Sequence, residues 1–286
     1  MFPWQDNLGR FAPFKALVFA LLFVPGIWTA VDFAVGNLQP RPINAAVHEI
    51  GLWSLRLLFL ALAVTPLRFA WAWSRLLQVR RMLGVAAFAY VLVHLLLYVA
   101  DQSFKLGTVL SEIVLRIYLA IGMVALLMLA ALAVTSTDRM IRRLGAKRWR
   151  RLHMLVYPAA LLGLIHHYMQ SKVRVDEPLV MSGLLFWLFA WRLIARLSGG
   201  DQKVRPWVVP ALALLAAVLT ACGEAGYYWW LRGIDPLRVL NTNFVMLGWR
   251  PAWVVFAICL PLAVISIVRL RLAPGARPRL RPARAT

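Results

Sequence analysis

Residues 148–170 read RWRRLHMLVYPAALLGLIHHYMQ, a basic run that leads into an apolar span. The stretch carries three of the chain's five histidines: His153 near one end, His166 and His167 near the other. Thirteen residues of helix at about 1.5 Å each set His153 and His166 roughly 20 Å apart along the axis, most of the roughly 30 Å hydrocarbon core of a bilayer. Ionisable groups inside a membrane are rare and usually functional, and imidazole is the commonest metal ligand. A histidine near each face predicts a redox cofactor near each face. His94 adds an imidazole within another apolar span, 90-YVLVHLLLYV-99. Two helices that each turn an imidazole inward are how a bundle holds a b-type haem.

The composition sets the class. The chain has 286 residues, is 62% hydrophobic and has a net charge of +21. Its mean hydropathy is +0.73, which describes a polytopic membrane protein. In a soluble domain such a charge excess would point to nucleic acid, but here the basic residues fall in short clusters between apolar spans, where they fix topology. Nucleic acid is therefore excluded as a partner. Cys222 and Cys259 lie in apolar stretches and read as small core residues. No CxxCH or CxxC occurs, so covalent haem attachment and cysteine-held zinc or iron–sulfur are excluded.

Eight spans are expected, at about 13–35, 47–66, 82–100, 113–135, 152–170, 178–197, 208–230 and 251–270. Basic residues cluster at 68–81, 139–151, 192–205 and 269–284, and the alternate loops hold most of the acids. Both termini are then cytoplasmic. This orientation puts His94 and His166 in the outer half of the membrane, at one depth, where they can ligate one iron from opposite sides. His167 and His48 lie near the same face. His153 lies at the cytoplasmic end without a histidine partner, and Arg80 stands where a second ligand on the helix of His94 would be. On one continuous helix His153 is about 40° from His167 and about 140° from His166, and Pro158 can shift that phase. His166 is preferred as the ligand, with His167 as the alternative. Arg56 and Arg116 lie within or beside apolar spans and read either as partners of haem propionates or, more so for Arg116, as snorkelling side chains.

Near 198–205 the segment SGGDQKVR separates the first six spans from the last two. The expected division is residues 1–200 as a haem-binding domain, 201–272 as two further helices serving as an anchor, and 273–286 as a basic disordered tail lying on anionic lipid. Tyr227, Tyr228, Trp229 and Trp230 read as an outer aromatic belt, and a quinone-facing surface is a second option for this pair.

Four segments resemble the MsrQ/YedZ family of haem-binding membrane subunits: 48-HEIGLWSLRLLFLALAVTP-66, 80-RRMLGVAAFAYVLVHLLLY-98, 112-EIVLRIYLAIG-122 and 135-TSTDRMIRRLGAKRWRRLHMLVY-157, the last continuing to 165-IHHYMQSK-172. The resemblance covers roughly residues 40–200. It implies an all-α fold, a polytopic bundle with a six-helix ferric-reductase-like haem core, to which this chain adds two C-terminal helices. It also implies a bacterial inner membrane and one or two haems b. Electrons would come from the quinone pool or a cytosolic flavin reductase, with FMN and quinone as further cofactors. They would pass outward to a periplasmic molybdopterin-dependent methionine sulfoxide reductase that repairs oxidised periplasmic proteins. His94, His153 and His166 match the family's functional histidines, and His48 matches a histidine opening the second helix. Arg80 or Arg81 at the fourth ligand position departs from the two-haem oxidase relatives.

No G-x-G-x-x-G follows a strand and no soluble domain could hold a nicotinamide, which argues against a self-sufficient NADPH oxidase or ferric reductase. The competing functions are a metalloreductase (ferric or cupric) fed by another flavoprotein, and a transporter or scaffold without haem.

Overall fold

A proline and a distant tyrosine shape the first helical stretch. In the computed structural model, which describes residues 2–5, 8–171, 175–205, 207–245 and 248–272, α1 runs Pro13–Leu21 and α2 runs Val24–Ala34. Pro25 has no N–H to give to the turn before it. The next bond is interrupted by a side chain: the Gly26 N–H donates to the Tyr90 hydroxyl (2.9 Å), and that hydroxyl donates to the Leu22 carbonyl (2.6 Å). Tyr90 thus stands in the rung that Gly26 and Leu22 would otherwise close directly.

The helices that follow are α3 (Pro42–Ala70), α4 (Leu77–Asp101), α5 (Leu106–Leu115), α6 (Ile117–Val134), α7 (Asp138–His153), α8 (Val156–Gln170), α9 (Asp176–Leu197), α10 (Val208–Arg232), α11 (Pro236–Asn241) and α12 (Pro251–Leu272). The chain is a helical membrane protein. Among the described residues, six helical stretches are long and apolar enough to span a bilayer: 13–34, 42–70, 74–101, 117–134, 176–197 and 208–232. The other two expected spans are present as α8, of 15 residues, and as α12, apolar over Pro251–Ile265.

Two more of the expected spans are divided, besides the first. The one expected at 113–135 is broken at Arg116, whose backbone is extended (φ −101°, ψ 110°) and serves both as the end of α5 and as the start of α6. The one expected at 152–170 begins only at Val156. Pro158 cannot donate to Met154, so the Tyr157 N–H takes the Met154 carbonyl (3.1 Å), and Met154 and Leu155 likewise bond three residues back. Such tight turns overwind the chain relative to an α-helix. His153 and His166 therefore do not share one continuous helix, and the angles expected of one do not hold between them.

Contacts sort the chain into two units: residues 1–62 with 78–172, and 63–77 with 173–286. In the first, α6 packs along α8 and α5 packs on α6. Helices α3 and α4 are joined by the Ser54 hydroxyl, which donates to the Ala87 carbonyl (3.1 Å). In the second, α9, α10 and α12 pack around Trp187, Leu188, Leu212, Ala216, Val255 and Cys259, all buried. Gly183 of α9 lies where a methyl group would strike the Thr220 hydroxyl and stand 2.8 Å from Val255 Cγ2, so its lack of a side chain lets three helices meet closely. Here too a carboxylate is fully buried: Glu224 is 0% exposed and pairs with Arg250 at 2.8 Å. Cys259 is buried, but Cys222 is exposed, contrary to its expected core role; both are free thiols. Trp229 and Trp230 are exposed. The 198–205 linker turns on Gly199 (φ +77°) and Gly200 (φ +130°). The tail at 273–286, with Lys172 and Arg174, lies outside the described residues.

Candidate functional site

The first unit encloses a cavity among α3, α4, α6 and α8. His94 of α4 and His166 of α8 face each other across it, ring centres 6.2 Å apart and ring planes crossed at 89°. The two imidazoles are held in the same way. His94 Nδ1–H donates to the Val47 carbonyl of α3 (2.8 Å), and His166 Nδ1–H donates to the Tyr118 carbonyl of α6 (2.7 Å). With Nδ1 carrying the proton, Nε2 of each ring keeps its lone pair for a metal.

The separation suits one ion between them. Two metal–nitrogen bonds of about 2 Å, with about 1.1 Å from each nitrogen to its ring centre, bring the centres roughly 6.3 Å apart. Below the pair the cavity is lined by Leu55, Leu58, Leu126, Leu129 and Ala159; on the other side lie His48, Tyr98, His167 and Gln170. An apolar slot with a polar rim is what an amphipathic macrocycle with two carboxylates requires, so the residues present fit a haem.

The rim holds a connected polar group. The Tyr98 hydroxyl donates to Glu112 Oε2, Arg116 donates to Glu112 Oε1 (2.7 Å), and Arg116 also donates to the Tyr118 hydroxyl (3.1 Å). Tyr98 lies one turn beyond His94, and Tyr118 supplies the carbonyl for His166. Arg116 thus has an acidic partner four residues back, which the sequence reading passed over. Arg56 lies over the Trp53 ring at 4.8 Å. His167 faces the cavity with its Nε2 buried and lacking a hydrogen-bond partner among the described residues. His48 is exposed at the mouth.

His153 is elsewhere. It stacks on Trp149 with ring centres 3.8 Å apart, its Nδ1 meets the Trp149 carbonyl (3.1 Å), and its Nε2 meets the Ser136 hydroxyl (3.4 Å). Trp149 in turn donates its indole N–H to the Thr135 carbonyl (2.9 Å). The TST and W-x-x-x-H elements therefore form one cluster where α6 ends and α7 closes. Arg80 and Arg81 bear electrostatically on His153. Arg81 also pairs with Asp138 at 2.7 Å, and that guanidinium holds the Asp138 carboxyl below its ordinary range. Among the five histidines none stands opposite His153, and among the described residues no group of three or more metal-ligating side chains forms there or elsewhere.

The sequence reading missed Gly51 and Gly122. A methyl group on Gly51 would come 2.6 Å from His94 Nδ1, and one on Gly122 would come 2.9 Å from His166 Nδ1. Glycine inside an apolar span, the usual mark of close approach between membrane helices, was the available signal.

Buried facing imidazoles in a helical membrane bundle define the ferric-reductase-like class, and the family model described as "Ferric reductase like transmembrane component" matches residues 50–164. A relative from Rhodospirillum rubrum is 46% identical over 191 residues, 66% of this chain and 89% of its own length. One from Azospira oryzae is 35% identical over 227 residues, 77% of this chain and 97% of its own length. One from Brucella anthropi is 42% identical over 179 residues, 62% of this chain and 80% of its own length. Each of the three is named "Protein-methionine-sulfoxide reductase heme-binding subunit MsrQ". The chain belongs to the MsrQ family. No solved structure matches it.

Proposed function

We propose that this chain is the b-haem subunit of a methionine sulfoxide reductase system and carries electrons across the bacterial inner membrane to a periplasmic molybdopterin-dependent reductase. The observation that carries this reading is the facing pair of His94 and His166, each with Nδ1 spent on a backbone carbonyl and Nε2 left to bind metal. The bound haem would supply one-electron reduction and reoxidation. His94 and His166 would hold its iron through their free Nε2 atoms, an arrangement that suits electron transfer over oxygen activation. Leu55, Leu58, Leu126 and Leu129 line the cavity and would keep water from the bound group. His48 and His167 line the polar rim, where His167 has a buried nitrogen to give, and with Arg56 and Arg116 they would hold the haem carboxylates.

The basic clusters support an orientation with the His153 end in the cytoplasm and the His94–His166 end at the periplasmic face. His153 and Trp149 then form the inner station, close to the donor, which is quinol or a cytosolic flavin reductase with FMN. A second haem at His153 would need a ligand other than histidine.

The test is a set of single substitutions in purified protein. His94→Ala and His166→Ala each abolish the same low-spin haem signal, and His153→Ala spares it while slowing reduction by the donor. Loss of one common haem in His94→Ala and His153→Ala, with His166→Ala spectrally normal, would overturn the pairing. A pyridine haemochrome gives the haem count, a reporter fused after Gln102 should read as periplasmic, and reduction by quinol against reduced flavin separates the donors.

A further inference from the structure

The two imidazoles are held by a device that occurs twice. In α3 it consists of the Val47 carbonyl and Gly51; in α6, of the Tyr118 carbonyl and Gly122. In each case the glycine lies four residues after the carbonyl, one helical turn on and on the same face. The carbonyl already accepts the N–H of that glycine within the helix, and its second lone pair takes the imidazole. A side chain on the glycine would stand between them: the added carbon would fall 2.6 Å from His94 Nδ1 at Gly51 and 2.9 Å from His166 Nδ1 at Gly122, where contacts under 3.0 Å force something to move. The histidine follows its carbonyl by 47 residues in the first instance and 48 in the second. Other glycines in these helices do not share the feature: Gly84 of α4 has nothing within 4 Å of an added carbon.

We infer that Gly51 and Gly122 are positioning residues that open the Val47 and Tyr118 carbonyls to the two ligand histidines, and so fix both ring tautomers and the crossed ring planes. This rests on the haem reading above. Each ring is set by its own carbonyl. A ring tied at Nδ1 to a fixed carbonyl has one orientation about its Cβ–Cγ bond, and the two carbonyls are set so that the planes stand at 89°. Accepting the Nδ1 proton also makes each imidazole a stronger donor to metal. Alanine at either glycine pushes the ring off its carbonyl, turning the plane and weakening the ligand, with Nε2 still able to reach the cavity.

The test uses the full-length protein, purified with its haem. Wild type and Gly84→Ala give the strongly anisotropic low-spin electron paramagnetic resonance spectrum of crossed axial imidazoles. Gly51→Ala and Gly122→Ala each shift it toward the rhombic form of more nearly parallel rings, or convert part of it to high spin, and shift the midpoint potential. Spectra and potentials of both variants that superimpose on wild type overturn the inference. Should an alanine variant fail to accumulate, His94→Gly supplied with free ligand decides. Imidazole, which can donate to the Val47 carbonyl, restores the low-spin signal at a concentration about fivefold or more below 1-methylimidazole, which has no N–H to give; equal binding of the two overturns the role of the carbonyl. The haem reading fails separately, if His94→Ala or His166→Ala keeps the low-spin signal.

Discussion

Replacing Arg250 by glutamine leaves a carboxylate with no exposed surface and no cation. Glu224 is 0% exposed, and its Oε1 lies 2.8 Å from the Arg250 guanidinium, which is itself 29% exposed. Neither carboxylate oxygen has a hydrogen bond among the described residues, so the guanidinium is its main compensation. Asp176 adds a second negative charge that bears on it. Two unit charges about 4 Å apart attract by about 4 kcal/mol at an effective dielectric constant near 20, and breaking a buried pair by deleting one partner typically destabilises by about 3–5 kcal/mol. Arg250 reaches solvent or headgroups, so about 3 kcal/mol is the better figure. At roughly 2–4 °C per kcal/mol the melting temperature falls on the order of 10 °C. Glu224→Gln leaves a part-exposed guanidinium that can turn outward, and loses about 1 kcal/mol or less. The double variant has no buried charge and recovers most of the loss. The assay is thermal denaturation of the detergent-solubilised protein, read as the fraction that still elutes as a monodisperse peak. Arg250→Gln melting within a degree of wild type refutes the reasoning, and so does a Glu224→Gln loss equal to that of Arg250→Gln.

Other substitutions test other parts of the structure. Gly183→Ala drives a methyl group into the Thr220 hydroxyl and Val255, and should lose about 1–3 kcal/mol in the same melt. Gly226→Ala in α10, with open space around it, should lose nothing. Thr137 caps α7 by accepting the Met140 N–H (3.2 Å), so Thr137→Ala should lower stability by about 1 kcal/mol. Arg81 holds the Asp138 carboxyl below its ordinary range. The pair's stabilisation is then fully present above the ordinary carboxylate pKa and is lost as pH falls through the lowered one. Both side chains are exposed (46% and 68%), so the effect is worth at most about 1 kcal/mol and should fade with added salt. A pH-dependent melt of wild type against Asp138→Asn measures it.

The sequence made the helical class legible because hydropathy is a sum over many residues and survives local error. It also brought His94 and His166 together, because the alternation of basic loops assigns each span an expected direction, and that direction assigns an expected depth. What it hid was local. The break at Arg116 depends on one residue's backbone and on Glu112, four residues earlier, which a hydropathy window averages away. The phase of His166 depends on the tight turns before Pro158, which an ideal helix leaves out. The carbonyls of Val47 and Tyr118 have no side-chain signature, and Gly51 and Gly122 look like other small residues of a membrane helix until the histidine opposite is known. The grouping of α9 with α10 and α12 depends on Gly183 meeting Thr220 and Val255, a match between distant residues.

Tyr90 also carries information about time. Its hydroxyl stands in the rung between Gly26 and Leu22, but it is made 64 residues after Gly26. At about 5–20 residues per second, ribosomal synthesis reaches it some 3–13 seconds later. During that interval the Gly26 N–H has the Leu22 carbonyl at hand and closes an ordinary helical turn, since a bare backbone pair is not tolerated in lipid. The expected consequence is that the N-terminal stretch enters the membrane as a nearly continuous rod. It would take up its final broken form only when the fourth helix arrives and trades one backbone bond for two bonds to a phenol.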